Sequence, residues 1–214
     1  MESLLIAIDG PSGSGKSTTA RLLAKKFDLG YLDTGAMYRA ATAGVLAEGI
    51  ADEDVAEYVA SADLVIDTAT DGNALTINGR EVTEEIREPH ISAAVSRVAT
   101  NRSVRETLTN MMRRIIDDHA RRIVVEGRDI TTVVAPDADV RVLLVADPEA
   151  RVARREAELA GKATKDAVVD QVLRRDKDDS TVSNFTEAAE GVTVIDSTFI
   201  LPDEVVAEIE KLLP

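Results

Sequence analysis

Residues Gly10-Pro11-Ser12-Gly13-Ser14-Gly15-Lys16-Ser17 satisfy G-x-x-x-x-G-K-[ST] at every fixed position, and no other stretch constrains the chain as much. The motif has chemical meaning only between a buried strand and a helix. Leu4 to Ile8 is a continuous apolar run, the pattern of a parallel strand covered on both faces. Thr18 to Phe27 carries Ala20, Leu22, Leu23, Ala24 and Phe27 along one helical side. Glycines let a backbone approach phosphates closely, and the helix N-terminus adds its positive end. Gly10, Pro11, Ser12, Gly13, Ser14, Gly15, Lys16, Ser17 and Thr18 are therefore the candidate triphosphate contacts. Lys16 reaches the β- and γ-phosphates, and the Ser17 hydroxyl sits on Mg²⁺.

A parallel sheet needs further strands separated by helices. The sequence predicts them at 30–32, 123–125, 140–145 and 192–195. Helices are expected after Asp33-Thr34 as far as Gly49, and over 52–60, 91–99, 103–119, 148–159, 167–175 and 202–213. Thr83 to Glu88 opens a short helix that Pro89 interrupts, and Gly161 ends the helix begun at Asp147-Pro148. The fold class is α/β, a doubly wound five-stranded parallel sheet. Between residues 64 and 82 the pattern changes. Leu64-Val65-Ile66, Ala74 to Ile77 and Arg80 to Val82 are short β-runs around Asp71-Gly72-Asn73 and Asn78-Gly79, the second a strong hairpin signal. Residues 35–105 therefore form a small β-containing insertion in a single 1–214 domain.

Composition narrows the partners. The net charge of −14 argues against nucleic acid or an anionic membrane. Cysteine is absent, which excludes thiolate metal sites and disulfides. No basic leader precedes the first strand and no apolar run approaches 18 residues, so a cytoplasmic monomer acting on small molecules is expected. Arginines nevertheless cluster at 113/114, 121/122, 151/154/155 and 174/175. His90 and His119 read as surface residues without a catalytic partner pattern.

In doubly wound sheets ligands bind beyond the strand C-termini. Here those ends read Asp9-Gly10, Asp33-Thr34-Gly35 and Glu126-Gly127-Arg128-Asp129. No Asn-Lys-x-Asp is present to read guanine, so a regulatory GTPase is excluded. Phosphoryl transfer is mostly positioning and charge neutralisation, which several arginines around one pocket would supply. The residues alone leave three readings open: a nucleotide kinase, a small kinase for an acceptor such as shikimate or gluconate, and a non-enzymatic ATP sensor.

Ile8 to Ser17, Leu32-Asp33-Thr34-Gly35-Ala36-Met37-Tyr38-Arg39, Glu126-Gly127-Arg128-Asp129 and Arg175-Asp176 with Asp179-Ser180 together resemble the bacterial cytidylate kinases, in order and across nearly the whole chain. The resemblance implies a P-loop nucleoside monophosphate kinase that passes the ATP γ-phosphate to CMP or dCMP, with Mg²⁺. It makes 35–105 the monophosphate-binding part and 151–180 a lid. It implies that Thr34, Arg39 and Arg128 hold the acceptor near its phosphate. Ser96, Arg105 and Asp129 read cytosine, and Arg175 and Asp179 take the pentose hydroxyls. Lys16, Arg128, Arg154 and Arg155 serve transfer, and Glu126 holds the metal through water. A carboxylate can accept the cytosine amino group, whereas uracil presents an acceptor there, worth up to about 10⁴-fold in discrimination. The family pattern departs at Val182, where an arginine is expected; Lys177 and Arg174 are the candidate substitutes.

Overall fold

The computed structural model describes residues 3–72, 74–159 and 165–214. In chain order the elements are β1 (Leu4–Asp9), α1 (Lys16–Phe27), β2 (Gly30–Asp33), α2 (Thr34–Ala47), α3 (Val55–Ser61), β3 (Leu64–Ile66), β4 (Leu75–Ile77) and β5 (Arg80–Glu81). There follow α4 (Pro89–Ala99), α5 (Arg102–Asp118), β6 (Arg122–Gly127), β7 (Val140–Val145), α6 (Pro148–Leu159), α7 (Lys165–Asp179), β8 (Thr193–Asp196) and α8 (Pro202–Glu210). Five strands form one parallel sheet in the order β2-β6-β1-β7-β8. The fold class expected from the motif and strand pattern is the one observed.

Strand alternation divides the core. Leu5, Ala7, Leu32, Ile123 and Val125 face a layer that includes residues of α2, α4 and α5. Ile6, Ile8, Tyr31, Val124, Val142 and Leu144 face the opposite layer, with Leu23 of α1 and Val205, Val206 and Ile209 of α8. Successive side chains of a strand point to opposite faces, so an apolar run with no polar gap is what two helical layers require. β3, β4 and β5 make a separate three-stranded antiparallel sheet. Asn78 and Gly79 turn β4 into β5 with φ of 50° and 74°, the left-handed pair that a two-residue hairpin favours. Leu75, Ile77 and Val82 belong to the same apolar layer as Leu5 and Val125, so this patch shares the main core.

Some boundaries differ from expectation. Pro89 starts α4 rather than interrupting a helix: Glu88 before it is extended (φ −68°, ψ 148°), and Pro89 occupies the first turn, where its missing N–H costs nothing. The preceding turn is a 3₁₀ segment, Glu85–Arg87. Residues 52–54 are likewise 3₁₀, and the α-helix begins at Val55. Gly161 and Asn73, expected at a helix end and a turn, lie outside the described residues.

Register sets the site. Asp9 of β1 stands opposite Gly127 of β6, and Asp33 of β2 opposite Glu126. Three strand ends therefore finish level on one edge. Asp9 itself turns inward. Its carboxylate accepts from the Ile130 and Thr131 N–H groups, both at 2.8 Å, and from the Thr131 hydroxyl at 2.6 Å. It thereby pins the π-helical turn Ile130–Val134 that follows β6. Burial pushes its pKa up, and the three donors oppose that shift.

Candidate active site

The phosphate loop is shaped by close backbone approach. A Cβ on Gly10 would lie 2.1 Å from the Leu144 carbonyl oxygen, and one on Gly13 would lie 2.6 Å from that of Arg151. Gly15 caps α1 at φ 92°. Only glycine fits such positions without strain. Lys16 follows in the first turn, and its ammonium donates to the Pro11 carbonyl at 3.0 Å. Removal from solvent lowers its pKa, while Glu126 draws it back up. The Ser14 hydroxyl is buried with no partner among the described residues.

The loop opens into a cavity of about 730 Å³. At its floor the Ser17 hydroxyl donates to Glu126 Oε1 at 2.5 Å, and the Tyr31 hydroxyl donates to the same oxygen at 3.2 Å. Glu126 is buried, which raises its pKa; Asp33 adds to this, and Lys16 and Ser17 oppose it. The Ser17 hydroxyl and the Glu126 and Asp33 carboxylates form a hard-oxygen set. Among the described residues no group of three or more His, Cys, Asp or Glu converges as a metal cage. Such a set suits Mg²⁺, which keeps several waters and is completed by substrate phosphates.

At the end of β2, Asp33 caps α2 by accepting from Ala36 N–H at 2.8 Å and receives Arg39 at 3.2 Å. The Thr34 hydroxyl donates to the Glu126 carbonyl at 2.8 Å. Deeper in, Arg105 donates to Asp129 Oδ2 at 2.5 Å and to the Ala99 carbonyl at 3.0 Å. It also lies over the Tyr38 ring, 5.6 Å from the centroid. The pair is largely enclosed, with side-chain exposures of 15% and 12%. Arg128 is held by Asp176 at 2.6 Å and Asp179 at 2.9 Å, with the buried Phe185 ring 4.3 Å beneath its guanidinium. Cation–π stacking fixes the plane of such a fork.

Most residues singled out in the sequence meet in this one cavity. Ser12, Gly13, Lys16, Ser17, Thr18, Thr34, Arg39, Arg105, Glu126, Arg128, Asp129, Arg155 and Asp179 all line it. Ser96 and Arg154 are not on its wall. Ser96 donates to Asp178 at 2.8 Å, tying α4 to α7. Arg154 donates to the Ser197 hydroxyl at 3.0 Å and the Ser197 carbonyl at 2.5 Å; that hydroxyl in turn donates to the Ser14 carbonyl at 2.8 Å. Arg154 thus backs the phosphate loop from behind. Arg175 lies in α7, but its side chain is outside the described residues. Val182 is more than a third exposed, and Arg174 pairs with Asp178. The 113 and 121 arginines stand elsewhere, on the Val133 carbonyl and Asp137.

Other lining residues were not singled out. Arg21 and Lys25 are among them, and they follow Ser17 at helical spacing, so that spacing alone could have found them. Asp176 is not on the wall; it stood in the Arg175-Asp176 segment of the resemblance, which gave it no role of its own. His119 is also not the surface residue expected. Its Nδ1 donates to the Ile115 carbonyl at 2.8 Å, since a carbonyl only accepts, and its Nε2 is hydrogen-bonded to the Thr68 hydroxyl at 2.8 Å. It ties the loop beside β2 to the end of α5.

A phosphate loop at the C-terminal edge of a five-stranded parallel sheet, opening into an arginine-lined cavity, defines a P-loop kinase. Solved structures share the fold. An uncharacterized protein from Eubacterium ventriosum superposes with a TM-score of 0.54 at 14% identity, covering 98% of this chain and 97% of that one. A shikimate kinase from Bacteroides thetaiotaomicron superposes at 0.50 and 13%, with the same coverage. Sequence comparison is more specific. The family model for cytidylate kinase matches residues 6–214. The cytidylate kinase of Cutibacterium acnes is 54% identical over 215 aligned residues, 99% of this chain and 96% of that protein. That of Carboxydothermus hydrogenoformans is 40% identical, covering 97% and 96%. This chain belongs to the cytidylate kinase family.

Proposed function

We propose that this chain is an ATP-dependent nucleoside monophosphate kinase that transfers the ATP γ-phosphate to CMP or dCMP, releasing ADP and the cytidine diphosphate. The observation that carries the assignment is that a single cavity contains both the phosphate loop and the Arg105–Asp129 pair. The loop takes the triphosphate. The pair offers a forked donor and a carboxylate acceptor, complementary to the N3, O2 and amino edge of cytosine.

Arg39 and Arg128 line the same cavity and would hold the acceptor's phosphate. Asp179 serves the pentose, together with Arg175. Ser17 and, through water, Glu126 would hold Mg²⁺, which when bound neutralises charge on the phosphates. Lys16 is drawn off the Pro11 carbonyl onto the phosphates. Arg155 reaches the cavity from α6 as part of a lid over residues 151–180, and residues 35–105 form the opposing monophosphate-binding part. Ser96 joins the base site only if its bond to Asp178 opens, and Arg154 acts by steadying the loop. Closure of both sides excludes water and suppresses hydrolysis of ATP. No covalent intermediate is needed, because transfer rests on alignment and charge neutralisation. The cysteine-free sequence suits the cytoplasm. No described helix is long and apolar enough to cross a membrane.

The test is coupled ADP release with MgATP against CMP, dCMP, UMP, AMP, GMP and shikimate. Turnover confined to CMP and dCMP is expected. ATP binding without turnover of any monophosphate would refute the assignment.

A further inference from the structure

Helix α7 presents a second carboxylate to the site, and the reaction described above gives it no task. Asp176 Oδ1 accepts from the Ser12 backbone N–H at 3.2 Å and from Arg128 Nη1 at 2.6 Å. Its Oδ2 accepts from Arg151 Nη1. Arg151 closes the ring. The same Nη1 donates to the Ser12 carbonyl at 3.1 Å, and its Nε to the Ala146 carbonyl at 3.2 Å. The Ser12 backbone is therefore held on both sides, its N–H by Asp176 and its C=O by Arg151.

Three features set this cluster apart from a surface ion pair. It is enclosed: the side chains of Arg151, Arg128 and Asp176 are 9%, 15% and 15% exposed. It joins parts far apart in sequence, namely the phosphate loop, the residue after β6, helix α6 and helix α7. It also orients Arg128 fully. Nη1 donates to Asp176, Nε forms an ion pair with Asp179 at 2.9 Å and the guanidinium lies over the Phe185 ring, while Nη2 has no bonded partner among the described residues. That nitrogen remains available to an anion in the cavity.

We propose that Asp176 is the positioning residue that fastens Arg128 and Arg151 to the tip of the phosphate loop. The guanidinium facing the acceptor then takes its orientation from the backbone that holds the donor, and the α7 side of the lid moves with that loop. The inference rests on the reading of Arg128 as a ligand of the acceptor's phosphate. Asp176 touches neither substrate; it acts through Arg128, Arg151 and the Ser12 backbone.

Asp176→Asn keeps the shape and removes the charge. Misplacing a catalytic group by about 1 Å costs roughly 10²-fold, so kcat should fall by about that factor. KM for CMP and for MgATP should each move by less than about threefold, because direct substrate contacts survive. Asp176→Glu restores the carboxylate and should recover part of the lost kcat. The Ser12 amide resonance should shift in Asp176→Asn and return towards its wild-type position in Asp176→Glu. If Asp176→Asn fails to fold, Arg151→Lys tests the same ring, retaining charge but losing the fork, and should likewise lower kcat and spare KM. An active wild type with Asp176→Asn at full kcat would overturn this inference alone, as would equal impairment in the Asn and Glu variants. A wild type unable to phosphorylate CMP would overturn the functional reading and this inference together.

Discussion

Asp129→Asn is the sharpest probe of base recognition. The carboxylate gives one oxygen to Arg105 at 2.5 Å, and on the proposed reading its other oxygen takes the base. Arg105 can only donate, so an asparagine must keep its carbonyl towards Arg105 and turn its NH₂ to the cavity. That amide then meets the cytosine amino group donor to donor, whereas the 4-oxo group of uracil finds a partner. Losing a charge-assisted hydrogen bond in this enclosed site costs about 1.5–3 kcal/mol, which lowers kcat/KM for CMP by roughly 10- to 150-fold. A new neutral bond to UMP contributes about 0.5–1.5 kcal/mol, a gain of up to about tenfold. The CMP-over-UMP ratio should therefore collapse by about 30- to 2,000-fold. Arg105 keeps one oxygen partner as well as the Ala99 carbonyl, so folding should lose only about 1–2 kcal/mol. The assay is kcat/KM for both monophosphates at saturating MgATP, with a thermal melt beside it. An unchanged ratio in a folded variant would remove Asp129 from base reading.

Other consequences follow from the same geometry. Lys16→Ala should lower turnover by about 10³-fold while leaving CMP affinity by calorimetry nearly unchanged, since the ammonium serves the donor's phosphates. Gly13→Ala forces a side chain to φ 77° and brings a Cβ within 2.6 Å of the Arg151 carbonyl oxygen; a raised KM for MgATP and a loss of about 1–2 kcal/mol in denaturant unfolding are expected. Burial alone would raise the Asp176 carboxyl, but Arg128, the Ser12 N–H and Arg151 overcome it and hold its pKa below the ordinary value. A carboxyl depressed in the folded state contributes stability that is complete above its unfolded pKa of about 3.9 and is lost as pH falls through the folded value. Wild-type stability should therefore fall more steeply with acid than that of Asp176→Asn below about pH 4, and parallel curves would contradict this.

Local pattern was enough for most of the fold. Apolar runs, unbroken in Leu4 to Ile8 and Ile123 to Val125, specified the central parallel strands, and Asn78-Gly79 specified a hairpin, because burial and φ preference act residue by residue; β8, expected as a core strand, lies at the sheet edge with only Ile195 of its residues buried. Pro89 was misread because proline both ends and begins helices; the extended Glu88 before it decides which. Ser96 and Arg154 illustrate a different limit. The resemblance implied site roles for them, but their hydrogen bonds go to Asp178 and to Ser197, partners 82 and 43 residues away.

The sequence by itself determined the phosphate loop and the class of sheet, since each is a local pattern of residues, whereas the pairing of Arg105 with Asp129, 24 residues apart, was decided by the tertiary structure. Only the tertiary structure decided how the charges are spent. It turned Asp9 inward to anchor the chain after β6. It made His119 a tie rather than a surface residue. It also drew Asp176, 164 residues from Ser12, onto the tip of the phosphate loop. Ion pairs form wherever chain packing excludes water and brings opposite charges together, and no local sequence rule encodes that meeting.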